Sequence, residues 1–150
     1  MPPTRPTATY DDVNLVLRLY ELRREKRMRE ARAWFGSKFR ASTMEEFNQL
    51  CPPGSEENAS FRMVVSYWDM VAAFVTSGVL NEELLFETTR ELLLVWTRVK
   101  GLLPQARELN KDPFAFKNLE SVGNSMTQWM NTRAPGSYEA FEQRIMALVR

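Results

Sequence analysis

The chain has 150 residues, of which 44% are hydrophobic and 26% are charged, and its formal net charge is +1. This length and this mixture are typical of one globular domain with a core of its own, and they exclude a disordered or fibrous chain. The sequence contains no histidine, which excludes Ser-His-Asp and Cys-His catalysis and the usual histidine-containing zinc and iron sites. We therefore expect no metal and no other cofactor.

The cysteine content and the first residues indicate the compartment. Cys51 is the only cysteine, so no internal disulfide can form, as is usual for proteins of a reducing compartment. Residues 1–9 are polar and rich in proline, without the apolar run of a secretory signal. We expect a flexible leader over residues 1–9 and a single helical domain over residues 10–150, located in the cytoplasm.

The first half of the chain predicts three helices. Apolar residues recur every three or four positions, which is the helical period, and no strand pattern is present. Thr9 is a suitable N-cap for a long first helix that runs to the mid-thirties and ends or kinks near Gly36. Thr43 caps a short second helix that stops before two prolines. The third helix covers about residues 55–77 and is apolar around most of its circumference, which is typical of the buried centre of a bundle.

The second half predicts the remaining helices. A fourth helix covers about residues 81–103, and the short turn at Gly78 places it antiparallel to the third. Asp112 and Pro113 form a typical helix start for a fifth, and Ser137 caps a final amphipathic helix. The predicted fold class is all-α, a helical bundle of five to six helices with a central antiparallel hairpin of residues 55–77 and 81–103.

Positive charge is concentrated in residues 23–40. One interpretation is a surface for an anionic partner, either nucleic acid or a membrane face. The other is a solvated helix face whose arginines form local ion pairs with nearby glutamates. The sequence pI of about 7.8 favours the second interpretation, since a dedicated nucleic-acid binder is usually more basic. The candidate residues for an anionic partner are Arg23, Arg24, Arg27, Arg29 and Arg32.

The first helix carries apolar residues on more than one face. A single core uses one face of a helix, so the excess predicts either a partner helix, most simply in a symmetric homodimer, or a helix wedged between two neighbours of its own subunit. The candidates for self-association are Leu15, Leu19 and Leu22.

Asp69 lies in the middle of the apolar third helix. A carboxylate in such a place needs a partner. Arg98 and Arg107 are the candidates, and a buried ion pair that fixes helix register is the favoured interpretation. The alternative is a ligand-anchoring or catalytic acid.

One segment resembles a known family. Arg62 to Ala72 reads RMVVSYWDMVA, and it is followed by SGVLNEEL over residues 77–84, a helix containing Trp96, and then Pro104 and Arg107. Over about residues 61–107 the chain resembles a family of uncharacterised bacterial helical proteins, a domain of unknown function. The resemblance implies a helical fold and no specific activity.

The sequence as a whole therefore predicts a cytoplasmic, non-enzymatic protein-interaction or oligomerisation module. The first alternative is binding of an anionic surface through residues 23–40. The second is small-ligand binding or catalysis by Asp69 together with an arginine.

Overall fold

The structure is a computed structural model that describes residues 7–149. Within this range it contains nine α-helices and no strand, so the predicted all-α class is confirmed and the predicted number of helices is too small. Most of the predicted leader lies outside the described residues. The helices are α1 (Tyr10–Arg23), α2 (Lys26–Lys38), α3 (Met44–Leu50), α4 (Glu56–Thr76), α5 (Glu82–Thr88), α6 (Glu91–Val99), α7 (Leu103–Asn110), α8 (Lys117–Arg133) and α9 (Ser137–Ala147).

Several predicted helix starts are confirmed. Thr9, Thr43 and Ser55 are the N-caps of α1, α3 and α4, and each side chain accepts a hydrogen bond from a backbone N–H in the first turn. These bonds satisfy donors that have no partner within the helix. Gly78 follows α4 with φ of 85°, a left-handed conformation that glycine adopts without steric penalty.

The predicted long first helix is divided into α1 and α2. Glu25 stands between them, and its carboxylate accepts hydrogen bonds from the backbone N–H groups of Arg27 at 3.0 Å and Met28 at 3.1 Å. A side chain that caps a new helix replaces the bonds that a continuous helix would have formed. Gly36, which was expected to end the first helix, lies inside α2.

The predicted fourth helix is also divided, here into α5 and α6. Thr89 is extended, with φ of −153° and ψ of 150°, and its hydroxyl accepts a hydrogen bond from the N–H of Glu91 at 3.1 Å. A threonine can cap the backbone in this way because its hydroxyl lies close to the chain. Pro104 lies in the first turn of a separate helix, α7.

Asp112 and Pro113 do not begin a helix. Asp112 accepts a hydrogen bond from the N–H of Phe114 at 3.1 Å within a turn, and α8 begins only at Lys117. The residue before it, Phe116, has φ of 54°. This left-handed conformation is unfavourable for a bulky residue, and it separates the turn from the helix.

The centre of the bundle is α4. Trp68, Val71 and Ala72 are fully buried, and α4 contacts α2 and α8 most extensively. The predicted hairpin is therefore wrong about the main partner of α4. Residues 81–103 do not form one helix along α4, because the chain bends at Thr89 between α5 and α6. The second of these helices, α6, packs chiefly against α8 and α9.

A group of phenylalanines joins α2, α3 and α4 to one another. The rings of Phe35 and Phe39 stack with centroids 4.8 Å apart, and Phe47 meets Phe61 edge to face at 4.8 Å. Phe39 and Phe61 connect the two pairs at 5.0 Å. Aromatic pairs at these distances stabilise a core beyond the area that they bury.

The close approach of α6 and α8 depends on Gly123. A Cβ atom at this position would lie 2.3 Å from Cγ of Trp96, so no larger residue fits without movement of the indole. The absent side chain lets the Trp96 ring lie against the backbone of α8.

Candidate functional site

Asp69 is used to cap a helix. Its Oδ1 accepts a hydrogen bond at 3.0 Å from the N–H of Leu119, in the first turn of α8. The N-cap residue of that helix, Phe116, makes no capping bond with its own side chain. A carboxylate at a helix N-terminus satisfies a free donor and interacts favourably with the helix dipole. Asp69 therefore joins α4 to α8, and it forms no ion pair with Arg98 or Arg107, contrary to the sequence prediction.

Arg98 is buried, with 3% of its surface exposed, and its partners are backbone carbonyls. Nη1 donates to Phe35 O at 2.9 Å and Phe39 O at 3.1 Å, and Nη2 donates to Gly36 O at 2.9 Å and Ile145 O at 2.7 Å. These oxygens belong to the C-terminal ends of α2 and α9, where the helix dipole favours a positive charge. Burial lowers the pKa of Arg98, although an arginine stays protonated in proteins. Arg98 thus ties three helices together.

Arg107 has a different set of partners. Its guanidinium donates to Ala115 O from Nε at 3.0 Å and from Nη2 at 2.8 Å. Nη2 also contacts Glu120 Oε1 at 3.1 Å. These bonds hold the turn between α7 and α8, so the role of Arg107 is local and separate from that of Asp69.

The basic residues of α1 and α2 contact groups of their own chain. Nε of Arg32 lies 2.9 Å from both carboxylate oxygens of Glu91, and its Nη1 donates to Arg23 O at 3.0 Å. The guanidinium of Arg23 lies over the Trp68 ring, 5.4 Å from its centroid. Arg32 therefore links the end of α1 to α6, and Arg23 covers the central tryptophan.

The other three candidate arginines, Arg24, Arg27 and Arg29, are more exposed than Arg32. Arg27 forms an ion pair with Glu56 at 3.0 Å, and Arg24 lies over the Tyr20 ring at 5.3 Å. Hydrogen bonds from the backbone N–H groups of Arg27 and the next residue lower the pKa of Glu25, and the nearby charge of Arg29 lowers it further. Arg23, Arg24, Arg27 and Arg32 thus each contact a group of their own chain.

An apolar face of α1 is left uncovered. Tyr10 is 82% exposed, Val13 41%, Leu17 53% and Tyr20 44%. Their spacing of three, four and three residues places them on one side of the helix. We call these four residues the α1 stripe. A continuous row of large apolar side chains on a surface marks a contact site more often than scattered single residues do.

The opposite side of α1 packs into the core. Leu19 is 4% exposed, and its carbonyl accepts a hydrogen bond at 2.5 Å from the hydroxyl of Tyr67, whose pKa is raised by burial. Leu15 is partly buried against the core. Leu22 is 45% exposed, but it lies off the stripe. Leu15 and Leu19 therefore do not form the exposed face that the sequence predicted for them, because both are used by the core.

Contacts at its start hold α1 in this orientation. Asp12 is buried, with 7% of its surface exposed. It accepts hydrogen bonds from the N–H groups of Thr9 at 2.7 Å and Asn81 at 2.9 Å, and these bonds lower its pKa. The first turn of α1 is thereby attached to the turn between α4 and α5. With Arg32 bonded at the other end, the stripe is presented on a helix that is anchored at both ends.

Two clefts that are lined by other residues of the described chain are further candidates for a site. The smaller one, of about 450 Å³, is lined by α6, α9 and the loop after α2. Lys100 in it donates to Tyr138 Oη at 2.8 Å and forms an ion pair with Glu142. Burial opposes its charge, but these bonds raise the pKa of Lys100, and the bond from Lys100 lowers the pKa of Glu142. The charges that line this cleft are therefore largely satisfied within the chain.

The larger cleft, of about 940 Å³, lies between the start of α1, the start of α5 and α8. Two guanidinium groups lie close to the Trp129 ring in its lining, that of Arg90 at 5.1 Å and that of Arg133 at 4.2 Å from the ring centroid. The carboxylate of Asp12 in the same lining is occupied by backbone N–H groups.

No helix between residues 7 and 149 combines the length and the hydropathy that a bilayer crossing requires. In the same range, no three acidic or cysteine side chains are close enough together to hold a metal ion.

Comparison with known proteins gives one match. A family model described as a domain of unknown function (DUF4760) matches residues 8–129, which include α1 through most of α8. No curated protein and no solved structure matches the chain. The match confirms the resemblance found over residues 61–107 and extends it across most of the sequence.

Proposed function

The chain belongs to the family described as a domain of unknown function (DUF4760), and from the surface of α1 we propose that it is a non-enzymatic protein-interaction module. The observation that carries the proposal is the exposure of the α1 stripe on a helix that is held at both ends. The partner that fits is a protein helix with an apolar face of its own.

The shape of the stripe supports a helical partner. Its residues follow steps of three and four, which is the pattern by which one helix packs into the grooves of another. The stripe is narrow, because Asn14 and Arg18 on one side of it are polar and exposed. Burial of apolar surface contributes about 25 cal/mol per Å², so covering four large side chains supplies a substantial driving force for association.

The proposed location is the cytoplasm. Cys51 is buried and carries no disulfide, and burial raises the pKa of its thiol to about 11. A buried, protonated thiol with no second cysteine is compatible with a reducing compartment.

Photocrosslinking in the cells that produce the protein tests the proposal. A benzophenone amino acid is placed at Val13 or Leu17 of the full chain, and at Arg18 as a control on the same helix. We expect one discrete adduct from the two stripe positions and none from Arg18. The adduct should disappear when Leu17→Asp is combined with the probe at Val13. If neither stripe position gives an adduct, or if Arg18 gives the same one, the proposal is wrong.

A further inference from the structure

We infer that the helix that covers the α1 stripe is α1 of a second copy of this chain, packed antiparallel to the first. The inference rests on the proposed function and names the partner of the same surface. It follows from three features of α1: the order of its apolar residues, the distribution of its charges and the position of Arg24.

The stripe is complementary to itself when it is reversed. In an antiparallel pair, Tyr10 lies opposite Tyr20 of the second copy, and Val13 lies opposite Leu17 of the second copy. The twofold axis passes between the two central Val13–Leu17 pairs, so each pair of residues occurs twice in the interface. All four exposed residues then face an apolar residue, with aliphatic pairs at the centre and aromatic pairs at the two ends.

The charges of α1 favour the same orientation. Its N-terminal half, residues 10–16, has one exposed charge, that of Asp11, because Asp12 is buried. Its C-terminal half with the following residue, 17–24, has the exposed charges of Arg18, Glu21 and Arg24, while Arg23 lies over Trp68 of its own chain. An antiparallel pair places the acidic half of each copy beside the basic half of the other, and it also opposes the two helix dipoles. A parallel pair would place like charges together.

Arg24 extends the stripe at its basic end. It follows Tyr20 by four residues, and its guanidinium lies 5.3 Å from the centroid of the Tyr20 ring. In the antiparallel pair this group lies beside the Tyr10 ring and Asp11 of the second copy. A guanidinium between two tyrosine rings and near a carboxylate stabilises the ends of the interface.

The interface is small, because each copy contributes one helix of 14 residues. Stable dimers usually bury about 800 Å² per partner. We therefore expect a reversible dimer that forms as the concentration of the protein rises.

Analytical ultracentrifugation of the full chain between about 5 and 200 µM tests the pairing, since this range detects dissociation constants of the same order. We expect the mass to rise from 17.5 kDa toward twice that value. Leu17→Asp should abolish the rise, because it places two charges at the centre of the pair. Leu22→Asp is the matched control on the same helix, off the stripe, and should leave the rise unchanged.

A second variant keeps the test informative if Leu17→Asp fails to fold. Tyr10→Ser changes a side chain that is 82% exposed, and it should weaken the dimer without loss of helix signal in circular dichroism. A wild-type chain that stays monomeric at about 200 µM overturns the inference.

Disulfide crosslinking tests the orientation in a Cys51→Ala background. A mixture of the Val13→Cys and Leu17→Cys chains should form a mixed dimer, and each chain alone should crosslink poorly. Efficient crosslinking of each chain with itself would show a parallel pair and overturn the inference.

The photocrosslinked adduct from cells separates the two proposals. An adduct of about 35 kDa, twice the 17.5 kDa chain, supports both, and an adduct with a different protein supports the interaction role and refutes the second copy.

Discussion

At the scale of single residues, Arg98 has the largest structural role. Its guanidinium is buried without a carboxylate beside it, and it satisfies carbonyl groups at the ends of two helices. An aspartate partner was expected because a buried charge usually has a counter-charge. Helix C-termini provide the compensation here, since their carbonyls carry a partial negative charge.

Replacement of Arg98 should therefore destabilise the fold strongly. Arg98→Met removes the guanidinium that donates to four carbonyls, and we expect the free energy of unfolding to fall by about 3–5 kcal/mol. Urea denaturation followed by circular dichroism measures the change. Arg18→Met, an exposed arginine of α1, is the control and should change stability by less than about 0.5 kcal/mol. A small effect of Arg98→Met would show that water replaces the guanidinium.

Two glycines in helices should respond in opposite ways to the same substitution. Gly123→Ala brings a Cβ into the Trp96 ring, and we expect a loss of about 1–3 kcal/mol from overpacking. Gly36→Ala meets no atom within 4 Å and should raise the stability by about 0.5–1 kcal/mol, because alanine favours the helix. Thermal denaturation of the two variants checks the pair. If Gly123→Ala raised the stability as Gly36→Ala does, the gain in helix propensity would outweigh the steric clash with Trp96.

At the scale of the elements, capping side chains decide where several helices begin. Glu25, Thr89 and Asp69 each accept a bond from a backbone N–H at a helix start. Glu25 and Thr89 act within two or three residues of their own position, whereas Asp69 acts on a helix that begins 48 residues later. A local cap and a cap from a distant helix thus use the same interaction, a side-chain oxygen that accepts a hydrogen bond from a backbone N–H.

The capping role of Asp12 predicts a dependence on pH. Backbone hydrogen bonds lower its pKa from the ordinary value of 3.8, so its contribution to stability is complete above that value. The contribution is lost as the pH falls through the lower pKa of the folded state. We expect Asp12→Asn to lose less stability than the wild type between about pH 4 and pH 2. Denaturation curves over this range measure it, with Asp11→Asn as the exposed control that should follow the wild type.

At the scale of the whole molecule, α4 and α1 differ most in their position in the bundle. The first is central and contacts α2 and α8 along its length, while the second packs mainly on α2 at the edge of the bundle. Leu19, the bonds of Asp12 and the bond from Arg32 attach α1 to the rest. The α1 stripe therefore lies on a helix at the edge of the bundle, and its other side is the one that packs on the core.

Hydrogen exchange should reflect this difference. In samples below about 1 µM, where the dimer has dissociated, we expect the amides of α1 to exchange faster than those of α4, because an edge helix opens without unfolding the core. At about 200 µM, exchange should slow in α1 and stay the same in α4. Mass spectrometry of peptic fragments resolves the two helices. Equal protection of α1 and α4 in the dilute sample would contradict this view of the fold.

Much of the fold was predictable because its signals are local. The helical class and the caps at Thr9, Thr43 and Ser55 depend on residues within about four positions of one another. The breaks at Glu25 and Thr89 were missed, although both residues can cap a helix, because the apolar period continues across them. The site was predictable only in part: an apolar excess on the first helix was evident, but its exposed face was assigned to the wrong leucines.

The sequence alone determined that this protein is helical and that chemistry based on histidine is absent. The tertiary structure decided which side of α1 faces the core and which partners the charged residues take. Arg32 meets Glu91 across 59 residues, and Asp69 meets Leu119 across 50. Contacts at such separations arise from the packing of whole helices. A pattern that repeats every three or four residues shows that two faces of α1 are apolar, and only the neighbouring helices determine which one is covered.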